Sequence, residues 1–174
     1  KALEKLNLEE IQPSSRKYPY INFRPEREPG DQILKVENLS KRDENGELLF
    51  SNVSFTFNRG EKATLLGQNS AAITALYEIL AGNMKPDSGI VEYGQTITAA
   101  YVPNENETYF TGAQDQDLIN WLRQYSENKD EQFIRGFLGR MLFSGEEVHK
   151  HTSVLSGGEK VRCMLAKSML THPN

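Results

Sequence analysis

The sequence predicts an α/β domain in which a parallel core sheet carries an antiparallel β part and a helical lobe. Three observations support that class. Apolar residues alternate with polar ones through much of 33–58, the period of a half-buried strand. A short apolar run, Ala63–Leu66, leads through a loop straight into apolar residues at helical spacing. From about residue 114 onward the apolar residues recur at helical spacing.

Residues 1–32 read as an arm. A helical start, Lys1–Glu10, gives way to Pro13, Pro19, Pro25 and Pro29, which a packed helix would not tolerate. Tyr18, Tyr20 and Phe23 interleave with charges. The favoured reading is an edge strand with these aromatics on its buried face; the other is a surface that stacks on RNA bases. Ile33–Leu39 alternates, Asn45-Gly46 marks a turn, and Val53, Phe55 and Phe57 alternate again. Ala63–Leu66 suits a strand buried on both faces. Ile73, Leu76, Tyr77 and Leu80 share a helical face, and Gly82 stands where that helix should end.

Pro86-Asp87-Ser88-Gly89 is a turn, with strands expected at Ile90–Tyr93 and Thr96–Val102. Leu118, Trp121, Leu122 and Tyr125 make one helical stripe; Phe133, Ile134, Phe137, Leu138, Met141 and Leu142 make another. A third helix should start near Gly157, carry Val161, Met164 and Leu165 inward, and end at His172-Pro173.

A chain of 174 residues suits one domain with an attached arm. With 37% hydrophobic and 25% charged residues, it has the balance of a soluble globular protein rather than a disordered one. The net charge of -4 means that no global positive field recruits nucleic acid. Apolar runs of only a few residues exclude a membrane-spanning helix. The single cysteine, Cys163, excludes an internal disulfide and a cysteine-rich zinc site, and fits a reducing cytoplasm. Residue 1 is Lys and no signal peptide leads the chain, so the sequence is expected to begin inside a longer one.

Two motifs carry chemistry. Gly67-Gln68-Asn69-Ser70-Ala71-Ala72-Ile73-Thr74 lies between the expected buried strand and the helix. A phosphate-binding loop belongs there, because a helix start presents free N–H groups and a partial positive charge to an anion. The working form is G-x-x-x-x-G-K-[ST], in which the Lys reaches the β and γ phosphates and the hydroxyl binds magnesium. Here Gly67 and Thr74 match, whereas Ala72 replaces the second Gly and Ile73 the Lys. The second motif, Leu155-Ser156-Gly157-Gly158-Glu159, heads the third expected helix. Its hydroxyl and two glycines at a helix start form a second phosphate-sensing surface.

LSGGE after a helical block, preceded by a strand-loop-helix unit, resembles the nucleotide-binding domain of ATP-binding cassette proteins. The strings KPDSG (Lys85–Gly89), PSSRKYP (Pro13–Pro19), WLRQYS (Trp121–Ser126) and RGFLGRMLFSGEE (Arg135–Glu147) narrow the likeness. They resemble the second cassette of ABC-F proteins, soluble tandem-cassette ATPases that act on ribosomes. The resemblance implies a P-loop cassette fold, incomplete at the C-terminus. Residues 1–20 would be the end of an inter-cassette linker and its arm, 21–174 the N-terminal part of the cassette, and about 114–150 its helical lobe.

It also implies ATP and magnesium as cofactors, with Thr74 as the magnesium ligand. The partners would be the other cassette of the same protein and the ribosome or its RNA, in the cytoplasm and without a membrane. Asn104, in YVPNENE, stands where the family usually has a glutamine, and Arg42, Asp43 and Glu44 where an adenine-stacking aromatic is usual. The magnesium-binding Asp, catalytic Glu and switch His of the family would follow Asn174, so no catalytic residue is expected in this chain. In the family, two cassettes sandwich ATP between one phosphate loop and the partner's signature. The loop here would form a degenerate site, while Ser156, Gly157 and Gly158 would complete an intact site on the partner.

Two other readings compete: a nucleotide-free pseudo-cassette acting as an interaction module, and the ATPase subunit of a membrane transporter. Smaller features have plainer explanations. His149 and His151, at i, i+2, share no helical face and read as a solvated helix end rather than metal ligands. Cys163 and Trp121 read as core, and Glu127–Glu131 as a solvated turn.

Overall fold

The computed structural model describes residues 17–110 and 116–174; the expected helix at Lys1–Glu10, most of the linker segment and the start of the helical lobe lie outside them. The alternating segments become strands β1 (Gln32–Arg42) and β2 (Leu48–Asn58), an antiparallel hairpin. Its turn falls at Asn45-Gly46: Gly46 takes φ +83°, and the Asp43 carboxylate accepts the N–H groups of Asn45 and Glu47 at 2.9 and 2.8 Å. Strand β3 (Ser88–Tyr93) pairs antiparallel with the other edge of β1, giving the order β2-β1-β3. Gly89 permits that approach, since a Cβ there would lie 2.5 Å from the Leu39 backbone.

Helix α1 (Ser70–Leu80) packs its buried Leu76 and Ile79 with Leu34, Val36 and Leu39 of β1. It ends as the sequence predicts. Gly82 takes φ +78°, its N–H reaches the Ile79 carbonyl at 3.0 Å, and the Asn83 N–H reaches the Glu78 carbonyl at 2.9 Å.

Helices α2 (Leu118–Arg123), α3 (Glu131–Arg140) and α4 (Gly157–Leu170) share the larger core. Leu118, Leu122, Ile134, Leu138, Met141, Cys163 and Met164 are fully buried there. Trp121 stacks on Phe110 with ring centres 4.8 Å apart and donates its indole N–H to the Tyr109 carbonyl at 2.9 Å, so it is a packing residue. The starts of α2 and α3 are capped by the carboxylates of Asp117 and Asp130.

Four expectations fail. The parallel core sheet is not formed among the described residues: Ala63–Leu66 joins no ladder, and Leu66 is 87% exposed. A strand forms only against a neighbour that takes up its N–H and C=O groups, and the described residues pair none with this segment. Thr96–Val102 likewise forms no strand, although Thr98 exchanges hydrogen bonds with the backbone and side chain of Asn174. The arm is not an edge strand with buried aromatics, because Tyr18, Tyr20 and Phe23 are 78, 50 and 43% exposed. It is tied down by the Tyr20 N–H to the Arg140 carbonyl at 2.8 Å and by contacts of His172 and Asn174 with the Arg24 and Arg27 carbonyls. Finally, Val161 faces outward on α4, whose inward stripe runs through Cys163, Met164 and Ala166.

Candidate functional site

The phosphate-loop segment sits where its sequence placed it, at the start of α1. The helix begins at Ser70, earlier than the apolar stripe suggested, because Asn69 is an effective cap. Its side-chain oxygen accepts the N–H groups of Ala71 and Ala72 at 3.0 and 3.3 Å. Those are donors that a phosphate would require. The Ile73 side chain lies 3.4 Å from the place a Cβ on Gly67 would take, so it packs back across the loop.

Gly67, Gln68, Ser70 and Thr74 are exposed, and beside them opens a cleft of about 670 Å³. Ser70, Ala71 and Thr74 line one side; Lys41, Arg42, Asp43 and Glu44 line another, with Asp87 and Glu105. Lys41 is engaged by Asp87 at 2.9 Å, and the same carboxylate accepts the Arg42 N–H at 2.7 Å. The cleft therefore presents more carboxylate than free cation to a polyphosphate. Asn104 is exposed but does not line it; its neighbour Glu105 does. Thr74 keeps a hydroxyl at the cleft wall, yet the loop lacks the lysine and its Ala71 and Ala72 donors are taken. These residues fit a bound triphosphate poorly.

The signature is built differently. Ser156 caps α4 in a reciprocal box with Glu159. The Ser156 hydroxyl donates to Glu159 Oε2 at 2.6 Å, and the Ser156 N–H donates to the same oxygen at 2.8 Å. The other carboxylate oxygen, Oε1, receives the Lys150 ammonium at 2.8 Å. Lys150 also reaches Glu147 at 3.2 Å. The Lys150 ammonium, and after it the Ser156 hydroxyl and N–H, hold the Glu159 carboxyl far below the usual range, at about 2. Gly157 and Gly158 are exposed, and a Cβ on either would meet nothing within 4 Å. Leu155 is buried beneath them and anchors the motif to the helical core. This helix start fits a phosphate: its glycines leave open space at a helix N-terminus, where the Ser156 hydroxyl accepts the Glu159 N–H at 3.4 Å.

None of Leu155–Glu159 lines the cleft beside the phosphate loop, so the structure does not bring the two motifs together. Three features escaped the sequence reading. The Ser156–Glu159 box has a local signal, a hydroxyl followed three residues later by Glu. The Lys150–Glu159 pair and the buried Lys160, whose ammonium takes both oxygens of Glu107 at 2.8 and 2.7 Å, join separate elements and leave no local signal. His149 is exposed between Arg135 at 2.9 Å and Asp117 at 3.8 Å.

Comparison with known proteins adds the context that the geometry asks for. Residues 50–174 match the family model described as ABC transporter. The chain is 54% identical over its whole length to the uncharacterized ABC transporter ATP-binding protein YkpA of Bacillus subtilis, of which it covers 32%. It is 30% identical over 98% of its length to the ABC transporter F family member 5 of Arabidopsis thaliana, covering 25% of that protein. Over 79% of its length it is 32% identical to the energy-dependent translational throttle protein EttA of Haemophilus influenzae, again covering 25%. The chain thus spans between a quarter and a third of the relatives it matches. No helix among the described residues is long and apolar enough to cross a membrane.

Proposed function

The chain belongs to the ABC transporter family of ATP-binding domains, with that family's mixed α/β fold, and from this premise we propose that it is one cassette of a tandem ABC-F ATPase. Its own phosphate loop is the degenerate half of one ATP site, and its signature completes an intact site on the partner cassette. The whole protein uses ATP and magnesium, works in the cytoplasm, and couples closure of the two cassettes to control of translation on the ribosome. The relatives named as an F family member and as a translational throttle support the last step.

One observation carries the division of labour. Both helix starts are capped by their own side chains, but Gly157 and Gly158 leave open space over α4, whereas at Ser70–Thr74 the glycine is replaced by Ala72 and the lysine by an apolar side chain. Within the intact site this chain's residues bind and orient. The Ser156 hydroxyl and the Gly157 and Gly158 N–H groups hold phosphate oxygens, and the absence of side chains lets the partner surface close and exclude water. ATP supplies the phosphoryl group, and the residues that transfer it belong to the partner.

Steady-state ATPase rates of the full-length tandem protein test this. Ser156→Ala should cost roughly 1.5–3 kcal/mol of closed-state stability, or about ten- to a hundredfold in apparent affinity. Gly157→Asp should be worse, through repulsion in a dry interface. Ile73→Ala should change turnover little. Equal losses for Ile73→Ala and Gly157→Asp would refute the assignment. The pseudo-cassette reading keeps one observation in its favour, the self-capped loop, and predicts that neither Ser156→Ala nor Gly157→Asp alters turnover.

A further inference from the structure

The signature carries an apparent contradiction. Glu159 is ionised and stands one turn inside the helix start, where an incoming polyphosphate would meet it as a like charge. It also holds the Ser156 hydroxyl at 2.6 Å, the group that should turn outward to that phosphate. Lys150 resolves both difficulties. It comes from the segment just before the Thr152–Val154 3-10 turn, not from α4, and its ammonium sits 2.8 Å from Glu159 Oε1. The Glu159 side chain is only 13% exposed, so water screens this pair less than an open surface pair.

We propose that Lys150 is a positioning residue of the signature: it balances the Glu159 carboxylate and keeps it partnered when the Ser156 hydroxyl turns away, so that the hydroxyl is free to serve a phosphate. The proposal rests on the reading that Ser156–Gly158 meets a phosphate of the partner site. The hydrogen-bond arithmetic is local. Glu159 Oε2 accepts both the hydroxyl and the N–H of Ser156, and Oε1 accepts Lys150. When the hydroxyl leaves, the carboxylate keeps the Ser156 N–H and the ammonium, and no ionised group is left without a donor. Without Lys150 the hydroxyl becomes the main side-chain partner of an unbalanced carboxylate and stays with it. Glu147, 3.2 Å from Lys150, is the other carboxylate at this ammonium and competes with Glu159 for its charge.

The experiment is a double-substitution cycle in the full-length tandem protein, read by equilibrium ATP binding under non-hydrolysing conditions and by melting temperature. Lys150→Met should weaken ATP binding at the composite site by about tenfold, the loss of one hydrogen bond to a charged group. Lys150→Arg should recover most of it. Whatever Glu159→Gln costs by itself, adding Lys150→Met to it should cost less than about threefold more, because no charge remains to balance. A readout independent of ATP is the Glu159 carboxyl titration followed by NMR in the unliganded protein, whose midpoint should rise from about 2 toward the ordinary range in Lys150→Met.

Three results overturn the proposal: unchanged ATP binding in Lys150→Met while Ser156→Ala is defective; a double variant about tenfold weaker than Glu159→Gln alone, which would place Lys150 on the phosphate; or a fall in melting temperature that accounts for the loss without recovery by arginine. Silence of Ser156→Ala and Gly157→Asp together with Lys150→Met would instead overturn the signature reading on which the proposal stands.

Discussion

Restoring the phosphate loop is the sharpest perturbation the structure suggests. Ala72→Gly together with Ile73→Lys returns the sequence to the working form of the loop, and the consequences can be estimated from the contacts. The lysine adds a charge-assisted hydrogen bond to a phosphate oxygen, worth roughly 1.5–3 kcal/mol. Against it stands Asn69, whose side-chain oxygen holds the Ala71 and Ala72 N–H groups at 3.0 and 3.3 Å. A phosphate must displace that oxygen, which gives up one or two neutral bonds of about 0.5–1.5 kcal/mol each and regains stronger ones to an anion. The net gain is about 1–2 kcal/mol, or roughly five- to thirtyfold tighter binding of ATP.

The pair also costs stability. A glycine in the first turn of α1 costs roughly 0.5–1 kcal/mol, and the contact of Ile73 across Gly67 is lost, so the melting temperature should fall by a few degrees. Calorimetry of the chain with ATP and magnesium, beside a phosphate-release assay, reads the outcome. The native chain should bind weakly and release no phosphate; the variant should bind more tightly and still release none. Magnesium-dependent micromolar binding by the native chain would refute the reasoning. So would a folded variant that binds no better than the native chain.

Two further outcomes concern the core. Leu138→Ala removes a fully buried side chain from the helical core and should cost about 2–5 kcal/mol, seen as a drop of roughly 5–15 °C in thermal melting followed by circular dichroism. The Cys163 thiol is buried, and its burial pushes it up to about 12; it therefore stays protonated through neutral and mildly alkaline pH and should resist a thiol reagent at pH 8 until denaturant is added.

Elements whose partners lie nearby in sequence were legible. The β1–β2 hairpin announces itself through alternation and Asn45-Gly46, and α1 through its stripe and Gly82. The helical lobe was equally plain, because Leu118, Trp121, Ile134 and Leu138 recur at helical spacing. What failed depends on distant partners. Ala63–Leu66 is apolar enough for a buried strand, but strand formation needs neighbours, and composition does not supply them. The arm's aromatics could face either way, since alternation alone does not say which face a core will cover. At the site, the sequence offers both motifs through their glycines and hydroxyls, whereas Asn69's occupation of the loop donors and the reach of Lys150 to Glu159 are facts of three-dimensional geometry.

The contrast between the two motifs also has an energetic side. Gly157 and Gly158 open α4, where glycine costs at most the roughly 0.5–1 kcal/mol relative to alanine that it costs in a helix interior. Neither has a positive φ, and among the described residues no atom lies within 4 Å of where a Cβ would be, so no described neighbour requires them to be glycine. A surface outside the chain that comes closer than a methyl group would allow would offset that cost, although Gly136 and Gly139 of α3 stand equally open, so the open space gains meaning only with the motif around it. The phosphate loop shows the reverse arrangement: alanines stand in its first turn, Asn69 satisfies its donors, and Ile73 fills the space over Gly67. A phosphate must first displace Asn69 from that loop and finds no lysine there. Glycines standing open at one helix start, beside alanine and isoleucine at the other, are the physical ground for proposing that the chain meets ATP at the signature.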